Sequence, residues 1–318
     1  MSAQPADQPV RPALLSRRRV LTLAGGALLA TACGGGRPPQ PSPASAADDV
    51  LATPSPAPTS TPTPTPTPRP VPRAGREVRT LLPGAEYETT AVITHSGVEG
   101  PRVLVLGGVH GNEPGGWMAA EAIAEWTVTR GSLVVVPRAN ILATYAFQRT
   151  LDGFGDLNRM YPGAVDGLPM ARMAHAIVQL AREVDTDLLI DLHESWGFWN
   201  ERTGDQGGTA FIGQTVTTVA PPAPRAALAE TITRVNTQLT EREQLVFRDR
   251  NWGRRRRPFG GMDPDLMGFG ASSLSLGDFV SGVTPILVEV GQRDQLEDRR
   301  AEIHRTIVGA LLGERAML

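Results

Sequence analysis

Two histidines and one glutamate have the residue types and the surroundings of metal ligands. His110 and Glu113 lie three residues apart in the run Gly-Gly-Val-His-Gly-Asn-Glu, directly after an apolar stretch. His193 follows a second apolar stretch, in the run Asp-Leu-His-Glu. Two imidazole nitrogens and one carboxylate give zinc three protein ligands and leave a fourth position for water, which is the arrangement of a catalytic site. These residues therefore predict an open metal site.

The other three histidines lack such a setting. His175 and His304 fall within helical patterns and have no acidic or histidine partner at a ligand spacing, and His95 precedes Ser-Gly at a predicted strand end. We interpret His175 and His304 as ordinary packing or surface residues. The metal prediction therefore depends on His110 and His193.

One carboxylate lies inside a further apolar run. Glu289 is flanked by Leu287, Val288 and Val290. A buried carboxylate is costly unless it is paired or used in chemistry, and burial raises its pKa toward values that suit a general base. The pattern is open to two interpretations, a general base or a structural salt bridge to one of the many arginines.

Strands and helices that must position these residues alternate along the chain. Continuous apolar runs predict strands covered on both faces, as in a largely parallel sheet, and the patterns between them predict helices. This order indicates an α/β fold, in which ligands bind beyond the carboxyl ends of the strands. The predicted strands span 102–107, 132–136, 187–192 and 285–290, and the predicted helices 116–126, 169–184, 224–239 and 293–312.

Four motifs in order carry a resemblance to a known superfamily. They are His110-Gly-Asn-Glu113, Gly155-Asp-Leu-Asn-Arg159, Asp191-Leu-His193 and Val288-Glu-Val-Gly291. Over most of residues 100–292 the sequence resembles zinc carboxypeptidases, and within them the succinylglutamate desuccinylase/aspartoacylase branch, whose members hydrolyse N-acyl amino acids. The resemblance implies a mostly parallel mixed sheet with helices on both faces.

The resemblance also implies roles for individual residues. It makes His110, Glu113 and His193 the ligands of one Zn²⁺ per chain and Glu289 the general base. Asn158 and Arg159 match the pair that grips the carboxylate of the substrate, a role that suits the planar fork of arginine.

Two further arginines are candidates near the reaction. Arg149 is our candidate for stabilising the oxyanion of the tetrahedral intermediate, ten residues before Arg159. The family usually spaces these two arginines more closely. Arg138, which follows another predicted strand, competes for the same role and is a candidate substrate-binding residue.

The sequence departs from the classical carboxypeptidase pattern after His193. Those enzymes place a tyrosine between the last histidine ligand and the glutamate base, whereas Tyr87, Tyr145 and Tyr161 all precede His193. The long stretch before Glu289 predicts a rebuilt substrate pocket.

Several features of this stretch are open to two interpretations. Trp196 and Trp199 could line an apolar subsite or pack in the core. Four arginines at 254–257 either belong to a solvated loop or overhang the site, where they would favour an anionic substrate. Glycines between residues 260 and 277 suggest a mobile lid.

The first residues have the features of an export signal. Ser-Arg-Arg-Arg-Val-Leu opens onto 13 apolar residues, too few for a spanning helix and typical of a signal peptide. The run resembles a twin-arginine signal, which carries folded proteins, and Leu-Ala-Thr-Ala-Cys-Gly resembles a lipobox with Cys33 as the lipidated residue. The alternative is that Cys33 is a free thiol in a discarded peptide.

Composition divides the rest of the chain and excludes several function classes. We predict a signal peptide at 1–32, a Pro/Thr-rich disordered tether at 33–74 and a hydrolase domain at 75–318. The chain contains no lysine, which excludes Schiff-base chemistry, and one cysteine, which excludes internal disulfides. A net charge of −2 argues against nucleic-acid binding.

Together these features predict an exported zinc hydrolase on the outer face of the cell membrane. We expect it to cleave an amide bond next to a carboxylate in a small acyl-amino acid or peptide, and to be anchored by lipid at Cys33. The alternative is a non-catalytic lipoprotein that binds a ligand with the same fold. That alternative predicts the loss of at least one of His110, Glu113, His193 and Glu289, and all four are present.

Overall fold

A single mixed β-sheet organises the protein, which we describe from a computed structural model covering residues 69–203, 210–249 and 272–318. Its strands are β1 (Gly75–Leu81), β2 (Thr89–His95), β3 (Arg102–Leu106), β4 (Ser132–Val136), β5 (Leu188–Ser195), β6 (Thr215–Thr218), β7 (Val246–Asp249) and β8 (Thr284–Gly291). Their order across the sheet is β1-β2-β4-β3-β5-β8-β6-β7.

The four central strands β4, β3, β5 and β8 run parallel to one another. Antiparallel pairs join this block to β2 on one side and to β6 on the other. Almost every residue of the central strands is buried. This explains why their sequences are continuous apolar runs, because a strand covered on both faces has no solvent side.

Helices cover both faces of the sheet. Those of the described residues are α1 (Pro114–Ile123), α2 (Ile141–Ala146), α3 (Pro169–Glu183), α4 (Pro222–Asn236), α5 (Leu276–Phe279) and α6 (Glu297–Gly313). One apolar core joins α1, α4 and α6 to the sheet, and a second joins α3 and α5 to the other face. The predicted α/β class, with a mostly parallel mixed sheet, is confirmed.

In the described residues, no helix has the length and apolar character needed to cross a membrane.

The predicted strands and helices are all present, with shifted ends. Among the strands, the largest shift is in β5, which continues past residue 192 to Ser195 because it stays paired with β8 as far as Gly291. As a result, His193 lies inside a strand rather than just after it. The strands without a predicted range are β1, which is mostly exposed and carries three charged residues, the short strands β6 and β7, and β2, of which only the end at His95 was predicted.

The residues before β1 contact the folded body. Arg69 forms ion pairs with Asp185 and Asp187, and Arg102 donates a hydrogen bond to the carbonyl of Pro70. These contacts fall on the tether side of the predicted boundary at residue 75, which stays a prediction. The signal peptide, Cys33, the four arginines at 254–257 and most of the glycine-rich stretch lie outside the described residues.

Candidate metal centre and active site

Three parallel strands bring the predicted site residues to one edge of the sheet. His110 lies in the loop that follows β3, and His193 lies near the end of β5. Glu289 of β8 is the direct register partner of His193. Because the carboxyl ends of neighbouring parallel strands meet at the same edge, residues far apart in sequence become neighbours here.

Two glycines shape the loop between β3 and α1, and the loop ends at Glu113, the N-cap of α1. Gly108 has a φ of +63°, a left-handed conformation that favours glycine. At Gly111 a Cβ atom would stand 1.8 Å from the carbonyl oxygen of Ala143, so only glycine fits beside α2. Glu113 is the N-cap of α1 and Pro114 its first residue, so His110 and Glu113 meet across a loop and not along a helix.

His110, Glu113 and His193 form a compact buried cluster. The Nδ1 atoms of the two histidines are 3.1 Å apart. Glu113 places Oε1 2.7 Å from Nδ1 of His110 and Oε2 2.9 Å from Nδ1 of His193. Two ligands of a tetrahedral zinc with bonds of about 2.0–2.1 Å stand roughly 3.3 Å apart. The cluster therefore has the composition and compactness of a three-ligand metal site.

The opposite ring nitrogen of each histidine faces a carboxylate. Nε2 of His193 lies 2.9 Å from Oδ2 of Asp191, and Nε2 of His110 lies 3.2 Å from Oδ1 of Asp156. A carboxylate that accepts the Nε2 proton leaves the Nδ1 lone pair free to bind a metal, and this support is usual for metal-binding histidines. The residues present thus fit a zinc ion, and they could hold one.

The charges of the cluster shift the pKa values of its members. Burial opposes ionisation of Glu113, but the neighbouring His110 and His193 outweigh it and hold the pKa of this carboxyl well below its usual range. Burial likewise opposes ionisation of Asp156, but its contacts with His110 and Arg149 lower its pKa. Both carboxylates are therefore ionised at neutral pH, as metal binding requires.

Glu113 is also held by Glu194, whose own side chain is buried in further contacts. The backbone N–H of Glu194 donates to Oε2 of Glu113 over 2.9 Å. The carboxylate of Glu194 is itself buried, 2.8 Å from Nε of Arg300 in α6, and it accepts a hydrogen bond from Gln292. Burial raises the pKa of Glu194 to about 7 despite the ion pair with Arg300.

Glu289 is a buried carboxylate with no ion-pair partner among the described residues. It is 7% exposed and lies on the strand next to His193. Burial raises its pKa well above the usual range, although the nearby His193 opposes the shift. The structural salt bridge considered from the sequence is therefore not seen in this part of the chain. A raised pKa and a place beside the cluster are what a general base needs.

Arg149 reaches the rim of the cluster. Its Nη2 donates to Oδ2 of Asp156 over 3.1 Å, and its Nη1 lies 3.6 Å from Oε1 of Glu113. The side chain is 42% exposed. The guanidinium of Arg149 is therefore close to the cluster and also partly open to solvent.

Asn158 and Arg159 lie in a 3-10 turn, Leu157–Arg159, that begins at Asp156. The same aspartate that contacts His110 therefore also caps this turn. Nη1 of Arg159 donates to the carbonyl of Asn158, and Oδ1 of Asn158 accepts a hydrogen bond from the backbone of Ser273. The motif is thereby tied both to the cluster and to the segment before α5.

Arg138 is held in other contacts. Its Nε is 2.6 Å from Glu121, Nη1 donates to Thr144, and the guanidinium stacks 3.9 Å from the Trp117 ring centre. None of these partners belongs to the cluster. Of the two arginines that competed in the sequence, Arg149 is the one whose described contacts include cluster residues.

The two tryptophans after His193 differ in their surroundings. Trp196 is 57% exposed, so it does not pack in the core. Trp199 is half-buried, with the guanidinium groups of Arg202 and Arg248 about 4 Å from its ring centre. The core interpretation is thus wrong for Trp196, and the apolar-subsite interpretation stays a prediction for both tryptophans.

Asp156 and Asp191 stood in the quoted motifs but received no role from the sequence. A usable signal existed for Asp191, because residues two apart in a strand point to the same face and its neighbour at that spacing is His193. No comparable signal marks Arg300 or Gln292, which follow the cluster by about a hundred residues and belong to no motif. Only the fold brings them to Glu194.

Comparison with known sequences supports the resemblance carried by the motifs. A model of the succinylglutamate desuccinylase/aspartoacylase catalytic domain matches residues 99–196. Over 100 residues the chain is 34% identical to N-alpha-acetyl-L-2,4-diaminobutyric acid deacetylase of Halomonas elongata. That match covers 30% of this chain and spans only 29% of the deacetylase. The resemblance is thus confirmed for the part of the chain that holds the cluster, and Glu289 lies beyond it.

Solved structures share the fold. Product-bound cell shape determinant protein Csd4 from Helicobacter pylori aligns with a TM-score of 0.58 at 18% identity, covering 77% of this chain and 56% of Csd4. An aspartoacylase family protein from Mesorhizobium loti aligns with a TM-score of 0.51 at 21% identity, covering 79% of this chain and 70% of that protein. These likenesses show a zinc carboxypeptidase-like α/β fold.

Proposed function

We propose that this protein is a zinc-dependent hydrolase that cleaves an amide bond next to a carboxylate. The observation that carries the proposal is the convergence of His110 Nδ1, His193 Nδ1 and the Glu113 carboxylate at the sheet edge. A buried carboxylate, Glu289, lies on the adjacent strand. A ligand set and a base side by side are what metal-assisted hydrolysis needs.

The chain's own residues divide the work of hydrolysis. When bound, zinc would lower the pKa of a water molecule toward 7 and polarise the scissile carbonyl. Glu289 accepts a proton from the attacking water and returns it to the nitrogen of the leaving amine. Its burial among apolar neighbours keeps competing solvent away from that carboxylate.

Arginines supply positive charge for the two negative groups of the reaction, the developing oxyanion and the carboxylate of the substrate. Arg149 at the rim of the cluster stabilises the negative charge that develops on the carbonyl oxygen. Arg159 and Asn158 bind the carboxylate next to the scissile bond, a contact in which the guanidinium can donate two parallel hydrogen bonds. Arg138 remains a candidate for the more distant part of the substrate.

The substrate is a small N-acyl amino acid or a peptide. Similar proteins support both classes, because the H. elongata relative is a deacetylase of an acetylated diamino acid and Csd4 is described as a D,L-carboxypeptidase. The predicted export signal favours a peptide, including a cell-wall peptide, or a scavenged acyl-amino acid outside the cytoplasm. Within this proposal the protein is a lipoprotein anchored through Cys33.

Metal content tests the proposal directly. The purified protein is expected to contain about one zinc per chain by elemental analysis. The variant His193→Ala should lose the zinc and the hydrolysis of N-acetyl amino acids and short peptides. The matched control is His175→Ala, a half-buried histidine of α3 that bonds to Gln179 and is not in the cluster.

Two outcomes would contradict the proposal. A wild-type protein that binds no zinc after reconstitution would make a ligand-binding lipoprotein the better description. Zinc retained in full by His193→Ala would remove that residue from the ligand set.

A further inference from the structure

One side chain ties together the two segments that supply the candidate metal ligands. Nε2 of Gln292 donates to the carbonyl of Asn112 over 2.8 Å and to Oε2 of Glu194 over 3.1 Å. Asn112 directly precedes Glu113, and Glu194 directly follows His193. Each partner of Gln292 is therefore the immediate neighbour of a ligand, one in the loop before α1 and one in β5.

The chemistry of this contact suits a primary amide. A backbone carbonyl and an ionised carboxylate only accept hydrogen bonds, and the amide nitrogen of glutamine carries two N–H groups. One N–H can serve each acceptor, and the hydrogen bond to the carboxylate is strengthened by its charge. Gln292 thus bridges two acceptors that offer no hydrogen bond to each other.

The backbone fixes the place from which this bridge starts. Gln292 follows Gly291, the last residue of β8, and its N–H donates to the carbonyl of Ser195 over 2.8 Å. This bond continues the pairing of β8 with β5 beyond the end of the strand. Glu289 lies three residues earlier on the same strand. The bridge therefore connects the strand of the candidate base with both ligand segments.

The carboxylate of Glu194 is held from its other side as well. Its Oε1 lies 2.8 Å from Nε of Arg300, and the two side chains are 0% and 8% exposed. A Cβ atom at Gly115 would stand 2.1 Å from the same oxygen, so α1 packs directly against this ion pair. Because moving one partner of a buried pair leaves a charge uncompensated, Glu194 is a firm anchor. Its backbone N–H is the one that donates to Oε2 of Glu113.

The bridge differs from the contacts inside the cluster in the atoms that it uses. The contacts among His110, Glu113 and His193 involve the ring nitrogens and carboxylate oxygens that would bind a metal. The hydrogen bonds of Gln292 involve none of these atoms. They can therefore hold the two segments together before the metal binds and remain in place afterwards, which is what a preorganised site requires.

We propose that Gln292 is a positioning residue that holds the two ligand segments at the spacing zinc binding needs. The inference rests on the proposed zinc-hydrolase function and adds to it a residue that belongs to none of the sequence motifs. Gln292 acts through Asn112 and Glu194 and is not itself a ligand.

The test compares two half-buried glutamines of the same loop. Gln292→Met keeps the approximate length of the side chain and removes both donated hydrogen bonds. Gln295→Met is the matched control, because Nε2 of Gln295 donates to the carbonyl of Gly291 and not to a neighbour of a ligand. The quantity measured is the zinc Kd of the purified proteins, by competition with a chelator. The Kd is expected to rise about tenfold in Gln292→Met, the lower end of the effect of residues that hold metal ligands in place. It should stay at the wild-type value in Gln295→Met.

A second variant separates the reach of the side chain from its size and polarity. Gln292→Asn keeps the amide and shortens the side chain by one methylene, so it cannot serve both acceptors. Its zinc Kd should also rise, and this variant decides the question if Gln292→Met does not fold in urea-unfolding measurements.

The outcomes distinguish this inference from the hydrolase proposal. A wild-type zinc Kd in folded Gln292→Met and Gln292→Asn proteins would overturn the inference and leave the hydrolase proposal intact. An equal rise in Gln295→Met would also overturn it, because the effect would then belong to the loop in general. The Kd does not depend on turnover, so it tests the inference even if the zinc-loaded wild type hydrolyses none of the substrates. A wild-type protein that binds no zinc would overturn both.

Discussion

In each histidine of the cluster, neighbouring groups determine the role of both ring nitrogens: Nε2 faces a carboxylate, and Nδ1 faces the other cluster residues. Asp191 and Asp156 face the Nε2 atoms, so both Nδ1 atoms present lone pairs to the same point. Glu113 is fixed in turn by the backbone N–H of Glu194. The donor atoms are therefore held in place before any metal binds, which reduces the cost of assembling the site.

Replacing the general base should separate metal binding from catalysis. In Glu289→Gln, zinc content is expected to stay at the wild-type level because Glu289 is not one of the three ligands. Turnover should fall by at least 10²–10⁴-fold, since glutamine cannot accept the proton. Elemental analysis and kcat on the same preparation check both parts.

Glu230→Gln is the matched control, because Glu230 is exposed on α4. This variant should keep both zinc and turnover. A Glu289→Gln protein that retained near-normal turnover would remove the general-base role, and one that lost its zinc would show that Glu289 supports the ligands instead.

At this scale the sequence predicted the metal-ligand candidates from their motifs, but it gave no role to Asp156 and Asp191 of the same motifs and no signal for residues such as Arg300. His110, Glu113 and His193 could be proposed because each stands beside an apolar strand in a recognisable run. Arg300 and Gln292 could not, because an isolated arginine or glutamine carries no signal in one sequence. What distinguishes them is their contact with Glu194, which only the packed structure defines.

The strands of the sheet differ in how well their own sequences predict them. The central strands have apolar runs that require cover on both faces, so they could be predicted as buried strands of a largely parallel sheet. The outer strands β1, β6 and β7 are short or exposed, and their pairing depends on the strand beside them. The stretch between His193 and Glu289 thus extends the sheet with β6 and β7, which sequence patterns did not reveal.

An ion pair links this stretch to the last helix. Glu243, in the 3-10 turn Glu241–Glu243, lies 2.8 Å from Arg299 of α6 and also accepts hydrogen bonds from Thr240. The contact with Arg299 and the Thr240 bonds lower the pKa of Glu243 to about 2. An unfolded glutamate titrates near pH 4.3, so the pair stabilises the fold above that pH.

Glu243→Gln should therefore destabilise the protein in a pH-dependent way. At pH 7 we expect the free energy of unfolding to fall by about 1 kcal/mol, a modest value because Arg299 is partly exposed to solvent. The difference from the wild type should shrink as the pH falls from about 4.5 to 2, because the wild-type carboxylate then takes up its proton. Urea unfolding of both proteins at a series of pH values measures this difference in unfolding free energy.

Glu241→Gln is the control for this effect, because Glu241 is an exposed residue of the same turn. Its unfolding free energy should follow the wild type at every pH. A Glu243→Gln deficit that stayed constant from pH 7 to pH 3 would show a packing effect rather than a charge effect.

At the scale of the whole molecule, the fold is compatible with the export signal that the first residues predict. A metal site assembled from β3, β5, α1 and their loops exists only in the folded chain. A twin-arginine route carries proteins that have already folded, so it would allow the metal to be bound before export. The predicted Pro/Thr-rich tether would then separate the domain from its predicted lipid anchor.

The single cysteine makes the anchor testable. Because Cys33 is the only cysteine in the sequence, any thioether-linked lipid on a cysteine must be there. The wild-type protein is expected in the membrane fraction outside the cytoplasm. Cys33→Ser should move it to the soluble extracytoplasmic fraction with its zinc content and turnover unchanged, since the site residues belong to the folded domain.

A second variant separates the anchor from the route. Arg17→Lys combined with Arg18→Lys alters the paired arginines and leaves Cys33 in place, so the protein should accumulate folded in the cytoplasm and without lipid. Fractionation followed by a lipid-labelling assay distinguishes the two variants. Cys33→Ser protein that stayed in the membrane fraction would exclude Cys33 as the anchor. A paired-arginine variant exported as well as the wild type would exclude the twin-arginine route, and the domain would then have to acquire its metal outside the cytoplasm.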